Sequence, residues 1–347
     1  MLNLITDIAG IRIGHAQDAA LLSGVTAILF DAPAVGSVAV LGGAPAGRDL
    51  GCLEPDAAVE RIDALVLSGG SGFGLDAASG AQAWLREHGR GLAVGTARVP
   101  IVPSAICFDL DNGGDKAWGR YPPYRDLGHA ASAAAAGGAF ALGTAGAGYG
   151  TSTVDLKGGL GSASARTAGG HTVGAIVVVN ALGSALMGAG PHFWAAPLEQ
   201  DAEFGGLGLP VRIDPATQAP IWKGRPGAGA TIPQSTTIAC IATDARLDKA
   251  QAKRLAVAAN AGLARGLRLS HAAMDGDTIF AASTGQRALA GGMQDLIEIG
   301  ALAADCLARA VARAVYEAEM PGPAWTGPPA WRDRFATIRT RDVEGPA

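Results

Sequence analysis

The sequence predicts a single α/β domain arranged in layers of helix, sheet, sheet and helix. Of its 347 residues, 49% are hydrophobic and 17% are charged, so the chain can bury a large core. Aromatic residues make up only 5% and glycine occurs 51 times, so alanine and glycine must supply much of the packing between layers. Short apolar strands alternate with helical patterns, without an internal repeat or a clear linker between domains.

Composition also restricts function and location. The net charge of −4 offers no basic surface for nucleic acid. The four cysteines are far apart and form no C-x-x-C pair, which is typical of a reduced cytoplasmic protein and not of a disulfide or zinc framework. The sequence shows no signal peptide, and no apolar run reaches the ~18 residues of a membrane-spanning helix. We therefore expect a cytoplasmic protein that binds neither nucleic acid nor membrane.

The first half of the chain alternates strands and helices. Apolar runs bounded by glycine or proline predict strands, and helical spacing of apolar residues predicts helices. Residues 98–125 are rich in loop-forming residues. The expected elements are strands over residues 25–30, 37–41, 64–68 and 91–94 and within 170–179, and helices over about 75–87 and 130–136.

The chain changes character over residues 198–235, where prolines and glycines recur and apolar periodicity disappears. This stretch is either a long surface loop or a flexible tail that leads to a processing site. We expect the tail around Trp325 and Trp331 to pack on the surface. Between these two regions the expected elements are strands over residues 237–243 and 278–282 and helices over 249–267 and 294–317.

Several motifs suggest chemistry but have the wrong spacing. Residues 69–74 follow a strand and open a helix, yet they match neither G-x-G-x-x-G nor G-x-S-x-G, because Phe73 stands where the second glycine of the latter belongs. A turn that lines a pocket is the better interpretation, with Gly70 and Ser71 as substrate-pocket candidates. Nothing anchors a Ser-His-Asp triad. The six histidines are isolated, and the Asp275–Asp277 pair lacks further oxygen ligands, so we expect no metal and no other cofactor.

The strongest signal lies in residues 235–244, where the Gly- and Pro-rich stretch enters a buried strand through small hydroxyl residues. A hydroxyl is a poor nucleophile until a base takes its proton. An N-terminal threonine supplies its own base, because a free α-amine has a pKa of about 7.7–8.0. Thr236 could release such an amine by attacking the carbonyl of Ser235, in an N-to-O acyl shift followed by hydrolysis. This arrangement predicts a cleavage site between Ser235 and Thr236.

A set of short motifs in fixed order gives a more specific indication. The chain resembles the family of self-processing aminopeptidases that includes L-aminopeptidase/D-alanine esterases, β-peptidyl aminopeptidases and nylon-oligomer (6-aminohexanoate-oligomer) hydrolases. Its threonine cleavage site and Asp-Gly-Asp sequence are most similar to the nylon-hydrolase branch. The motifs that carry the resemblance are residues 5–15, 42–45, 67–74, 156–164, 179–181 and 275–278.

The resemblance implies a fold and an assembly. The expected fold is a four-layer αββα sandwich similar to N-terminal-nucleophile hydrolases, with a different strand connectivity. The single domain, residues 1–347, would cleave itself into residues 1–235 and 236–347, and the processed pieces would assemble as a homo-oligomer of heterodimers. The implied substrate is a small amide or peptide with a free amino group.

The resemblance also assigns roles to residues. Thr236 would be the nucleophile and, through its amine, the general base. Asn180 would donate to the oxyanion, and such a donor is worth ~3 kcal/mol in the transition state. Lys157 would sit near the hydroxyl and amine of Thr236, and Asp275 and Asp277 would orient Thr236 and balance the lysine.

The chain departs from the family pattern at two positions. Ser235 stands where relatives usually carry Asn or Gly before the cut. Phe108, a further substrate-pocket candidate, stands near a position that is Tyr in some relatives, so a second hydroxyl donor is missing there. Two other functions remain open: an acyltransferase similar to ornithine acetyltransferases, and an unprocessed binding protein of the same fold.

Overall fold

The computed structural model describes residues 1–213, 215, 219–224 and 235–336. Strands and helices alternate along these residues. The strands are β1 (Ile11–Asp18), β2 (Ser23–Val40), β3 (Gly47–Arg48), β4 (Arg61–Ser68), β5 (Leu92–Val94), β6 (Ala97–Val99), β7 (Ser104–Ile106), β8 (Gly159–Arg166), β9 (Thr172–Asn180), β10 (Thr236–Ala245) and β11 (Thr278–Arg287). The helices are α1 (Asp76–Glu87), α2 (Tyr124–Ala133), α3 (Lys249–Gly266), α4 (Met293–Tyr316) and α5 (Trp331–Arg334).

One large sheet runs through the molecule in the order β3-β7-β4-β2-β11-β10-β9-β8, with β1 paired to β2. The β10–β11 and β4–β7 pairs are parallel and the other neighbours are antiparallel. Strand β2 belongs to both halves of this sheet: its first part pairs with β1 and β4, and its last part pairs with β11. A register shift between Leu29 and Ala34 separates the two parts. The two strands expected over residues 25–30 and 37–41 are therefore one long strand.

Three apolar clusters separate the layers. The first packs α1 and α2 on β2 and β4 and includes the fully buried Tyr124. The second lies between the two halves of the sheet, where Phe30 and Leu65 share a core with Ile238 and Phe280. The third packs α3 and α4 on β8 to β11. The order of layers is thus helix, sheet, sheet, helix, and the expected αββα arrangement is confirmed.

Glycine allows α4 to lie directly on β8. A Cβ atom added to Gly161 would lie 1.9 Å from the carbonyl oxygen of Ala310, and one added to Gly159 would lie 2.2 Å from that of Ala314. Such distances are far inside van der Waals contact, so only glycine fits at these strand positions. The glycines of the 156–164 motif therefore set the spacing between helix and sheet.

The structure differs from the sequence-based expectations in other places. Strands β1 and β8 were not expected, and α2 begins at Tyr124 instead of near residue 130. Residues 321–336 of the tail are mostly exposed or half-buried, but the side chains of Trp325 and Trp331 are only 8% and 6% exposed. Trp331 stacks on Phe193, with 6.0 Å between the ring centroids, and so extends the third apolar cluster. Among the described helices, none has both the length and the apolar character needed to cross a membrane.

Candidate active site

Thr236 and Asn180 face each other across two neighbouring strands. Thr236 is the first residue of β10 and Asn180 is the last residue of β9, and the antiparallel register pairs them directly. Directly opposed residues have Cα atoms about 4.5–5.5 Å apart. Both residues are buried, Thr236 at 5% and Asn180 at 2% exposure. The residues predicted as nucleophile and oxyanion donor therefore lie side by side at one end of the sheet.

The peptide bond before Thr236 is contacted from two sides. The Thr236 hydroxyl donates to the carbonyl oxygen of Ser235, with 2.5 Å between Oγ1 and O. The backbone N–H of Gly276 donates to the same oxygen over 3.0 Å, and Ser235 forms a parallel bridge with Asp275. A Cβ atom on Gly276 would lie 2.7 Å from Thr236 Oγ1, so glycine is required for this close approach.

Asp277 organises the beginning of the two parallel strands. Its Oδ1 accepts a hydrogen bond from the backbone N–H of Thr237 over 2.9 Å. Its Oδ2 accepts from the backbone N–H of His271 over 2.8 Å and lies 3.0 Å from Nδ1 of the same residue. Since Asp277 is fully buried, these fixed donors replace water around its carboxyl group. The carboxyl group thereby holds the chain one residue beyond Thr236.

Asp275 lies two residues earlier and is also buried. Burial raises the pKa of its carboxyl group to about 7, and the nearby charge of Asp277 raises it as well, whereas Lys223 lowers it. A carboxyl group with such a pKa can both accept and release a proton near neutral pH.

The Gly-Gly-Ala-Pro motif supports the aspartate turn. The backbone N–H of Ala44 donates to the carbonyl oxygen of Asp275 over 2.8 Å, and that of Gly42 donates to the carbonyl oxygen of Asp277 over 3.2 Å. A Cβ atom on Gly42 would lie 2.3 Å from the Asp275 carbonyl oxygen. The motif at residues 42–45 is therefore a backbone clamp for the residues that contact Thr236.

The amide group of Asn180 is bound at both ends. Its Oδ1 accepts from the backbone N–H of Ser152 over 3.0 Å and from the ammonium group of Lys223 over 3.2 Å. Its Nδ2 donates to the carbonyl oxygen of Phe108 over 2.7 Å. Because a carboxamide NH2 carries two hydrogens, one can still serve a further acceptor. Phe108 thus reaches the site through its backbone.

Lys157 is fully buried beneath the C-terminal tail. Its ammonium group donates to the carbonyl oxygens of Gly148 and Gly158, over 3.0 and 2.9 Å, and lies 5.1 Å from the centre of the Trp325 ring. Burial lowers its pKa to about 7, although Asp109 raises it. Within the described part of the chain, Thr236 is not one of its hydrogen-bond partners, so its expected role beside the threonine stays a prediction.

The Gly-rich turn is held by Asp109, which is also buried. The backbone N–H of Gly70 donates to Asp109 Oδ1 over 2.7 Å, and that of Ser71 donates to the carbonyl oxygen of Cys107 over 2.9 Å. Both residues have left-handed backbone conformations, with φ of 83° and 52°. Because both N–H groups are used within the chain, neither is free to donate to a substrate.

Two contributors to the site escaped the sequence analysis. Lys223 lies in the aperiodic stretch before Thr236, where nothing in the sequence marks it. Gly276 lies within the recognised Asp-Gly-Asp sequence, but only the fold shows that its N–H meets the Ser235 carbonyl group. The described residues contain no group of three or more His, Cys, Asp or Glu side chains that could hold a metal ion, and all four cysteines are free thiols.

Two related sequences match most of this chain. An uncharacterised aminopeptidase of Mycobacterium tuberculosis is 43% identical over an alignment of 354 positions, which covers 96% of this chain and 98% of the relative. A 6-aminohexanoate-oligomer endohydrolase of Paenarthrobacter ureafaciens is 28% identical over 297 residues, which cover 80% of this chain and 74% of that protein.

Solved structures share the fold. The L-aminopeptidase D-Ala-esterase/amidase of Ochrobactrum anthropi, described as a variant of the Ntn-hydrolase fold, has a TM-score of 0.66 at 21% identity and covers 92% of this chain and 87% of its own. A Burkholderia β-aminopeptidase has a TM-score of 0.64 at 22% identity, with the same coverage. Residues 3–324 match Peptidase family S58. The chain therefore belongs to peptidase family S58 and is a hydrolase of peptide bonds.

Proposed function

We propose that this chain is a self-cleaving amide hydrolase whose nucleophile is Thr236, exposed as a new N-terminus when the Ser235–Thr236 bond is cut. The observation that carries the proposal is the 2.5 Å contact between the Thr236 hydroxyl and the Ser235 carbonyl oxygen, at a buried bond whose oxygen also accepts from Gly276. Cleavage would divide the domain into residues 1–235 and 236–347.

Self-cleavage begins with an N-to-O acyl shift. The Thr236 hydroxyl oxygen adds to the Ser235 carbonyl carbon, and the Gly276 N–H stabilises the negative charge that develops on the carbonyl oxygen. The C–N bond then breaks, the Thr236 nitrogen takes up a proton, and an ester joins the two pieces. Water hydrolyses this ester, which leaves a carboxylate on Ser235 and restores the hydroxyl.

A base must accept the hydroxyl proton in the first step. The nitrogen of Thr236 is still an amide before cleavage and cannot do so. Asp275 forms a bridge with Ser235, and the pKa of about 7 of its carboxyl group suits proton transfer in both directions. We therefore assign the base of self-cleavage to Asp275.

The mature site would use the released amine. The α-amine of Thr236 takes the hydroxyl proton, and the hydroxyl oxygen attacks the substrate amide carbon to form an ester on Thr236. The free hydrogen of the Asn180 amide group donates to the oxyanion. The ammonium group of Thr236 then protonates the leaving amine, and water releases the acyl group.

The names of relatives support a substrate class. Relatives are named as aminopeptidases and as 6-aminohexanoate-oligomer endohydrolases, and both names describe amides whose acyl part carries an amino group. We propose a small amide or peptide with a free amino group as the substrate, without nucleic acid or cofactor. By the same resemblance, we propose a cytoplasmic homo-oligomer of processed heterodimers.

Intact mass and N-terminal sequencing of the purified protein test the proposal. We expect two fragments, of which the smaller one reads Thr-Thr-Ile-Ala-Cys. Thr236→Ala should remain a single inactive chain, and Thr236→Ser should still be cut because a hydroxyl nucleophile remains. A start at Ser235 or Thr237, or full cleavage of the Ala variant, would show that the assignment is wrong. Product analysis with and without an added amine acceptor separates hydrolysis from acyl transfer.

A further inference from the structure

Lys223 reaches the candidate active site from the segment that precedes the cut. It lies twelve residues before Ser235, and its backbone N–H donates to the carbonyl oxygen of Leu182 over 3.1 Å, just beyond Asn180. Its ammonium group donates to the Ser152 carbonyl oxygen over 2.8 Å and to Asn180 Oδ1 over 3.2 Å. The half-buried side chain is thus anchored at both ends beside β9.

These contacts decide which way the Asn180 amide group faces. The two ends of a carboxamide have nearly the same shape, so its orientation is set by its hydrogen-bond partners. The backbone N–H of Ser152 and the ammonium group of Lys223 both require an acceptor, and the Phe108 carbonyl oxygen requires a donor. A flipped amide would place its NH2 group against the ammonium group. Lys223 therefore keeps the nitrogen of Asn180 on the side where it can donate.

The charge of Lys223 also acts on Asp275. Burial lowers the pKa of the Lys223 ammonium group to about 8, whereas the negative charge of Asp275 raises it. In return, Lys223 lowers the pKa of Asp275, against the effects of burial and of Asp277. Lys223 also lowers the pKa of the buried Lys157 ammonium group. Lys223 thus donates a hydrogen bond to Asn180 and also acts through its charge on Asp275, beside the scissile bond.

We propose that Lys223 is a positioning residue of the active centre, which fixes the Asn180 amide group for oxyanion binding and supplies positive charge to the Asp275 and Thr236 side of the site. This inference rests on the proposed function. In the mature protein the Thr236 α-amine would gain the same neighbouring cation, which favours its neutral form.

Lys223→Met, Lys223→Arg and a matched control, Lys249→Met, test this role. The Lys249 ammonium group is also held by backbone carbonyl oxygens, those of Cys52, Ala57 and Val59, but lies at the start of α3. Each variant is checked for cleavage on a denaturing gel and for folding by thermal denaturation. The kcat and KM for an aminoacyl p-nitroanilide are then measured across pH.

For Lys223→Met we expect kcat to fall roughly 10-fold to 100-fold with KM within about twofold of the parent, because transition-state binding is lost. The acidic limb of kcat/KM should move to higher pH, since loss of a cation raises the pKa of both Asp275 and the Thr236 amine. Lys223→Arg should restore the limb, and Lys249→Met should leave it unchanged.

An unchanged acidic limb in Lys223→Met, or the same loss in Lys249→Met, would overturn the inference. If Lys223→Met fails to fold, Lys223→Gln takes its place, because it keeps a hydrogen-bond donor and loses the charge. A parent chain that is uncut, or a Thr236→Ala variant that is fully active, would instead contradict the proposed function. These two failures are therefore distinguishable.

Discussion

The backbone N–H of Gly276 donates to the carbonyl oxygen of Ser235 over 3.0 Å. A backbone donor is fixed by the surrounding strands, so it needs no reorganisation when charge develops on that oxygen. The donor belongs to the Asp-Gly-Asp turn, whereas Asn180 belongs to β9. Self-cleavage and substrate hydrolysis would therefore use different donors, which variants can separate.

Gly276→Ala should slow self-cleavage at least about 10-fold. The new Cβ atom would lie 2.7 Å from Thr236 Oγ1 and must displace the hydroxyl from the Ser235 carbonyl group. Gly137→Ala is the matched control, because a Cβ atom there meets nothing within 4 Å. Time courses of cleavage after cell-free synthesis measure the effect, and equal rates for both variants and the parent would rule out the steric argument.

Asn180→Ala should reduce kcat of the mature protein by roughly 10²–10³, the usual cost of one oxyanion donor. Its effect on self-cleavage should be smaller, because Gly276 serves the Ser235 carbonyl oxygen. Asn260→Ala, which removes a buried Asn that donates within α3, controls for loss of a buried amide group. Activity within a few-fold of the parent would remove Asn180 from the reaction.

The rate of self-cleavage should fall as pH decreases through about 7, because Asp275 becomes protonated and no longer accepts the hydroxyl proton. Asp275→Asn should cleave at least about 10² more slowly and lose this pH dependence. Asp277→Asn removes a charge that raises the pKa of Asp275, so the acidic limb should move to lower pH. Gel densitometry after synthesis at several pH values measures both effects. A parent rate that is flat across pH 7 contradicts the assignment.

The fold should become more stable as pH rises, because the buried Lys157 ammonium group loses its proton. Its pKa is lowered in the folded chain to about 7 from an ordinary 10.5, so between these values only the unfolded chain binds the proton. Below pH 7 both forms carry the proton, and the cost of burying the ammonium group is fully present. The Thr236→Ala chain should therefore gain thermal stability over this window, and adding Lys157→Met should remove most of the gain. An undiminished gain would show that other groups cause it.

The sequence predicted the parts of the site that are local. A hydroxyl residue before an apolar run predicts Thr236 as the candidate nucleophile at the start of β10, whereas Asn180 was implied by the family resemblance. Contacts between residues that lie far apart in the sequence could not be predicted. Lys223 meets Asn180 from a stretch without periodicity, and the proline-rich sequence around Trp325 resembles a surface loop until the fold places the ring over Lys157.

Strand order determines what cleavage would do to the stability of the protein. Strands β10 and β11 belong to residues 236–347, and they lie at the centre of the sheet between β2 and β9 of the other piece. One chain can form this sheet as an intramolecular reaction, but two separated pieces would have to meet in solution, so their refolding would depend on concentration. Once cut, the protein would persist because it unfolds slowly and not because it can refold. Each molecule would then assemble its central sheet only once, before its own chain is broken.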